Sequence, residues 1–435
     1  MTSLRGTIRV VPDKSLTHRG AIFGAITRGR TVLTRPNPGA DCQATLRAVA
    51  ALGARVVEAN EQRWVLESDG VLSEPTQVLD LGNSGTGIRL LAGLVSGLPG
   101  LTVLTGDDSL CRRPMARIAD PLRSMGARIS TREGGRAPLA IEGGALHGVD
   151  YRSPVASAQV KSALLLAGLS LREGQITLEE PERSRDHTER LLRFYGVPLE
   201  VGETRVTLRA SSDLGPAGAA GTNLSARSWL VPGDISAAAF FLVGAALAPG
   251  SELVIDDVGL NPTRTGAIDV LRRMGAGLEI ETTSEEPEPI GRLVVRSSEL
   301  RATIVEPGEI PRLVDEVPIL ALAAARAEGT TEFRGAQELR HKESDRVRTT
   351  LELLRVLGVQ AEESEGVLRV HGRGPKATFS GGAIRADGDH RIAMTGLIAS
   401  LLTDEPLAVD SRDMIATSDP GFEATLQTAT GGAAQ

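Results

Sequence analysis

Six apolar helical runs recur along the chain, each led in by a polar and often glycine-bearing segment. They begin near Lys14, Asn83, Ser157, Asp234, Asp315 and Asp389, at intervals of 69, 74, 77, 81 and 74 residues. A repeat of that length is one supersecondary unit, and such units reach stability by stacking on one another. Helices that are apolar all round must be buried. The spacing therefore predicts an internally repeated α/β fold, three units to a half. Each polar lead-in becomes a helix N-terminus, where unpaired N–H groups and the helix dipole favour negative charge. Brought to one place, six such termini would attract anions without a metal.

At 435 residues the chain is too long for one ordinary core and is expected to form at least two domains. Hydrophobic content of 41% with 24% charged residues fits a globular protein. Aromatic residues make up only 3%, which argues against a base-stacking nucleic-acid surface. A net charge of −7 argues against a polyanion partner, though not against a local cationic cleft for a small anion. Two cysteines, Cys42 and Cys111, exclude a disulfide framework, and six scattered histidines lack paired ligand spacing, so no metal is expected. Met1–Gly6 carries no signal-peptide core, and the longest apolar run, Ala237 to Pro249, is too short to span a bilayer. A cytoplasmic protein with no membrane partner is the expectation.

Lysine usage singles out particular segments. Of 48 basic residues only Lys14, Lys161, Lys342 and Lys376 are lysines, so arginine supplies the surface charge. A lysine kept against that bias suits a position needing a compact ammonium. Lys342 lies in His341-Lys342-Glu343-Ser344-Asp345-Arg346, between the apolar run Val317–Ala327 and a helical pattern over Val347–Leu357. Four residues apart, Lys342 and Arg346 would share a helical face, with Glu343 beside them. Read alone, the hexapeptide fits either a solvated helix start with local ion pairs, or two cations clamping an anion while Glu343 moves a proton. Lys14 lies in Pro12-Asp13-Lys14-Ser15-Leu16-Thr17-His18-Arg19, between a strand at 7–11 and a helix expected over 21–27, with Ser15 or Thr17 as its cap. Lys161 lies in Ser157-Ala158-Gln159-Val160-Lys161-Ser162, ahead of a helix expected over 163–171. The glycine-rich turn Gly82-Asn83-Ser84-Gly85-Thr86 fits neither nucleotide-binding spacing, but would let a ligand approach the backbone. The Gly/Ala-rich stretch 211–223 reads as a loop, and the tail 428–435 as disordered.

Taken together with Arg113-Pro114-Met115, Pro232-Gly233-Asp234, Asp315-Glu316 and Asp389-His390-Arg391, these segments resemble the 5-enolpyruvylshikimate-3-phosphate (EPSP) synthase family, in order, from about residue 7 to 422. The resemblance implies a two-domain inside-out α/β barrel, each domain three βαβαββ repeats. One domain would comprise 1–12 and 233–435, the other 13–232, with the active site in the cleft between them. The implied activity moves the enolpyruvyl group of phosphoenolpyruvate to the 5-hydroxyl of shikimate 3-phosphate, releasing phosphate, with no cofactor and no metal. Both partners are small molecules, and the protein is expected to be a monomer. By position, Lys14, Ser15, Arg19, Ser157, Ala158, Gln159, Ser184, Asp315 and Lys342 would meet shikimate 3-phosphate. Lys14, Asn83, Gly85, Thr86, Arg113, Gln159, Arg346 and Arg391 would meet phosphoenolpyruvate. Lys14, Asp315 and Glu343 are the candidates for proton transfer. Two polyanions brought together repel, and fixed bidentate arginines answer that repulsion.

Some positions depart from the commonest pattern. Ala158 stands where many members have a second serine, His187 where some have tyrosine, and Thr417 where many carry a phosphate-binding lysine. With 261–266, these features resemble the branch typified by glyphosate-tolerant bacterial forms, whereas Gly85 keeps the glycine of sensitive ones. The related transferase acting on UDP-N-acetylglucosamine carries a cysteine five residues before its Arg-Pro pair; here that position is Asp108, and Cys111 is two before Arg113. A non-catalytic phosphosugar-binding protein has no need of Glu343 and Asp315 beside its cations.

Overall fold

A computed structural model describes residues 1–211 and 222–432. Most of the expected loop at 211–223, and the last three residues of the expected disordered tail, lie outside them. The chain divides into two compact units, Met1–Val11 with Pro232–Gln435, and Pro12–Val231.

The unit Pro12–Val231 holds three helices that pack on one another, Lys14–Ile26, Gly85–Val95 and Ala158–Gly168. Each also lies against its own four-stranded sheet. The first sheet runs Trp229–Leu230, Arg28–Thr34, Arg63–Asp69, Arg55–Ala59. The second runs Leu79–Asp80, Gly100–Thr105, Arg136–Gly143, Arg128–Arg132, and the third Val149–Arg152, Gln175–Glu179, Arg205–Arg209, Leu199–Val201. In every sheet the first two strands are parallel and the rest antiparallel. The outer strands alternate exposed and half-buried positions, as in Arg55–Ala59, because only one face meets apolar side chains. The helices are buried on nearly every residue, so they form the inside and the sheets the outside.

The other unit repeats the plan. Helices Ile235–Leu247, Val317–Ala325 and His390–Ser400 pack together, the first two without an exposed residue. Arg5–Ile8 pairs in parallel with Glu252–Gly259, which continues to Ile290–Arg296 and Gly277–Ser284. The second sheet is Ile304–Val305, Thr330–Arg334, Val367–His371, Ala361–Ser364; the third has only Gly382–Ile384 and Leu407–Val409. In the last copy a closing helix, Phe422–Ala429, stands where the hairpin would be, and it packs against Arg5–Ile8. Each unit has its own apolar core.

Five of the six polar lead-ins prove to be caps. The side chains of Asp13, Ser84, Ser157, Asp234 and Asp389 each accept a backbone N–H of the first turn of the helix they precede. This corrects several expectations. The first helix begins at Lys14 with Asp13 as its cap, not Ser15 or Thr17, and the third begins at Ala158 rather than 163. A polar residue satisfying a helix's own first N–H groups starts the helix inside the motif, before the apolar run begins. Residues 428–429 of the expected tail close the last helix.

Candidate active site

In the unit Pro12–Val231 three helix starts are tied together by polar side chains. Lys14 Nζ lies 2.5 Å from Asp41 Oδ2, with both side chains mostly covered. Arg19, 3% exposed, donates through Nη1 to the Ser15 carbonyl at 2.9 Å, through Nε to Thr188 Oγ1 at 2.7 Å and through Nη2 to Ser162 Oγ at 2.8 Å. Arg19 thus joins the first helix start to the third. His18, fully buried, shares a hydrogen bond with Thr45 Oγ1 at 2.8 Å and sits 3.4 Å from Ser84 Oγ, the cap of the second helix. Burial first, then the neighbouring Lys14 and Arg19 charges, hold the His18 imidazole well below its usual range, so it is neutral.

Around Gln159 the charge is one-sided. Its Oε1 accepts from Arg89 Nη1 at 2.8 Å and Arg117 Nη2 at 3.3 Å, while its Nε2 donates to Thr86 Oγ1 at 3.2 Å. Arg113 Nη2 donates to Asn83 Oδ1 at 2.5 Å, and Asn83 Nδ2 to Asp107. Arg89, 4% exposed, also donates to the carbonyls of Gly85 and Pro114. Burial, with Arg117 and Arg113 close by, brings the Arg89 guanidinium down to about 9. A cation whose charge is so disfavoured marks a place that gains by taking up an anion. At Gly85 an added Cβ would lie 2.9 Å from Arg113 Nη1 and 3.0 Å from Arg89 Nη1. Ser157 caps the third helix through Val160 N–H, Ala158 follows as the first helical residue, and Ser184 Oγ donates to Glu180 Oε2 at 2.8 Å.

In the other unit the organising group is Arg346. Its side chain is fully buried, with Nε 2.8 Å from Asp389 Oδ2, Nη1 3.1 Å from Asp315 Oδ1 and Nη2 2.6 Å from Glu343 Oε2. Burial opposes its charge, yet Glu343, Asp389 and Asp315 together hold the guanidinium above its ordinary value. Arg391 Nη1 donates to the Asp315 carbonyl at 3.4 Å and lies 3.7 Å from Glu316 Oε1. Burial favours the neutral form of Glu343, but the Arg346 charge outweighs it and holds the carboxyl below its usual range. Glu343 remains the most exposed of the three carboxylates, at 44% against 18% for Asp315 and none for Asp389. His390, pressed by burial and Arg391, falls to about 4 and is neutral.

The hexapeptide is not one helical face. Residues Ala336–His341 form a tight turn, Lys342 is extended, and the helix begins at Arg346 with Asp345 as its cap. Lys342 therefore turns back to Glu338 at 3.1 Å instead of standing beside Arg346. Asp345 forces this, because its carboxylate takes the Arg348 N–H and stops the helix from extending backwards. Sequence reasoning missed Arg89, Arg117, Asp41 and Asp389 as members of these clusters. Arg89 lies one helical turn beyond Gly85, a spacing that puts both on one face and was available as a signal.

Two units of inward-facing helices and outward sheets, with cations gathered at the helix starts, define the enolpyruvyl transferase fold. The enolpyruvyl transferase NikO from Streptomyces tendae shares it at a TM-score of 0.77 and 18% identity, over 98% of this chain and 95% of that one. Agreement narrows from there. The sequence model of EPSP synthase (3-phosphoshikimate 1-carboxyvinyltransferase) matches residues 1–426. The 3-phosphoshikimate 1-carboxyvinyltransferase of Thermus thermophilus is 49% identical over 424 residues, 96% of this chain and 95% of that protein. Its Bacillus subtilis counterpart is 45% identical over 425 residues, 97% and 96% of the two chains. The EPSP synthase structure from Acinetobacter baumannii matches at a TM-score of 0.90 with 40% identity, covering 98% and 96%. The chain belongs to the EPSP synthase family.

Proposed function

We propose that this chain transfers the enolpyruvyl group of phosphoenolpyruvate to the 5-hydroxyl of shikimate 3-phosphate and releases phosphate, a step of chorismate and aromatic amino-acid biosynthesis. The observation that carries this reading is the Arg346 cluster, a buried guanidinium with Glu343 and Asp315 directly on it. A site that only held a phosphosugar would have no use for two carboxylates that weaken its grip on anions. Family membership argues against UDP-N-acetylglucosamine as substrate.

The atom balance sets the requirements. The 5-hydroxyl loses its proton as its oxygen bonds to the substituted carbon of phosphoenolpyruvate, and the methylene carbon gains one. Because the product is again an enol ether, that carbon gives a proton back as phosphate leaves with its bridging oxygen. No electrons are exchanged, so no redox cofactor is called for. In this reading Arg113, Arg346, Arg391, Asn83, Gly85, Thr86 and Gln159 hold phosphoenolpyruvate, and Ser15, Arg19, Ser157, Ala158, Gln159, Ser184, Asp315 and Lys342 hold shikimate 3-phosphate. Lys14 serves both. A phosphoenolpyruvate carboxylate that engages Arg346 must replace one of its carboxylates, and Glu343 is the most accessible. Released from Arg346, Glu343 binds a proton more readily and becomes a proton carrier. The candidate groups divide between the two units, so we further propose that ligand binding draws the units together around the substrates. All candidate groups belong to one chain, which supports a monomer as the working form, and anionic substrates that do not cross membranes support a cytoplasmic site of action.

The test is phosphate release from each substrate alone and from the two together. Release that requires both is the expected result; release from either alone, or from neither condition, defeats the proposal.

A further inference from the structure

Lys161, set apart by the scarcity of lysine, has no place in the reading above, yet it sits at the centre of a closed polar cluster. Its Nζ lies 2.8 Å from Glu180 Oε2 and 2.9 Å from Glu189 Oε1, and donates to the Ser184 carbonyl at 3.4 Å. Lys161 and Glu180 are each 4% exposed and Glu189 is 3% exposed. Burial favours the neutral amine, but the Glu189 and Glu180 carboxylates outweigh it and hold the ammonium above its usual value. Burying three charges is a weak route to stability, since apolar side chains of the same volume commonly do as well. What distinguishes this cluster is where its other hydrogen bonds go.

Glu180 follows the strand Gln175–Glu179 and faces the start of the helix Ala158–Gly168. Its Oε1 accepts the Ser157 N–H at 2.7 Å, and its Oε2 accepts the Ser184 hydroxyl at 2.8 Å. One carboxylate thus holds two of the three serines assigned to shikimate 3-phosphate, and Lys161 holds that carboxylate. Ser157 Oγ accepts from Val160 N–H, so its own proton is directed elsewhere. Ala158 supplies no hydroxyl between them, which leaves the spacing of Ser157 and Ser184 to set the donors there.

We propose that Lys161 is a positioning residue: by clamping Glu180 and Glu189 it holds Ser157 and Ser184 at the spacing the phosphate of shikimate 3-phosphate requires. The inference rests on the functional reading above. Lys161→Met should raise KM for shikimate 3-phosphate roughly tenfold or more, the scale of one charge-assisted hydrogen bond. KM for phosphoenolpyruvate and kcat should move far less. A double-mutant cycle with Ser184→Ala separates positioning from general damage. If Lys161 acts through Ser184, the effect of Lys161→Met shrinks markedly in the Ser184→Ala background; independent losses multiply instead. Should Lys161→Met lose its cooperative melt, Glu180→Gln, which keeps the size and one acceptor oxygen, carries the same cycle. A folded variant with unchanged KM for shikimate 3-phosphate, or a cycle in which the losses multiply, overturns the proposal. A wild type that releases no phosphate from the substrate pair defeats the underlying reading instead.

Discussion

Arg346 is surrounded by carboxylates it cannot all keep once an anion arrives. That competition makes the role of Glu343 testable. Glu343→Gln keeps the shape and an acceptor oxygen but cannot carry a proton, so kcat should fall roughly a hundredfold or more, the usual scale for lost acid–base catalysis. Affinity for shikimate 3-phosphate should shift far less. Near-normal turnover would remove Glu343 from the chemistry. At Gly85 the constraint is steric, since an added methyl falls 2.9 Å from Arg113 Nη1 and 3.0 Å from Arg89 Nη1. Gly85→Ala should push the Arg113 guanidinium aside and lower catalytic efficiency. The family resemblance has glyphosate competing for this place, and as the longer ligand it should lose more affinity than phosphoenolpyruvate. Inhibition measured at matched phosphoenolpyruvate saturation checks this; equal inhibition of both forms would take Gly85 out of the pocket. At this scale the sequence shows which residues carry charge but not what neutralises them. Nothing local to Lys14 announces Asp41, which reaches it from another helix.

At the scale of elements, the apolar runs were legible from their periodicity, and the helix starts were not. A polar motif before an apolar run reads as a loop, whereas here its own side chains cap the helix and draw the first turn into the motif. Asp345 is the instructive case, because capping at that point separates Lys342 from Arg346. Asp345→Ala should lower stability by about 1 kcal/mol, measured by denaturant unfolding, and should raise KM for phosphoenolpyruvate as the start of the helix carrying Arg346 loosens. An unchanged KM would mean that Arg346 is held by its ion pairs alone. A second case lies just before the helix Phe422–Ala429. Burial, with Asp234 facing it, pushes the Asp419 carboxyl up to about 7. A carboxyl raised in the folded state gives stability that is greatest below its ordinary value and is lost as pH rises through the folded one. Tm should therefore fall between about pH 4 and 7 through this group. Asp419→Asn, which can still accept the Gly421 N–H, should flatten that fall and be the more stable form by roughly 1 kcal/mol or more at pH 8. Parallel Tm profiles for the two proteins would show that Asp419 titrates normally.

Across the whole molecule, the six-fold spacing gave the repeated architecture because a buried helix and its sheet need a nearly constant length of chain. The last copy could not be read this way. Its sheet stops at two strands, and a helix rather than a hairpin closes it, although the 74-residue spacing to its start is ordinary. Two separate cores with the proposed site divided between the units also lead to a prediction about motion. Scattering with shikimate 3-phosphate and a phosphoenolpyruvate analogue should give a smaller radius of gyration than scattering without them, and an unchanged value would count against closure. In the proposed reaction carbon, not phosphorus, is transferred, and the fate of oxygen tests this most directly. With both substrates in heavy-oxygen water, phosphate free of solvent oxygen should form in equal amount with an enolpyruvyl ether of shikimate 3-phosphate. Solvent oxygen in the phosphate, or phosphate without that ether, would contradict it.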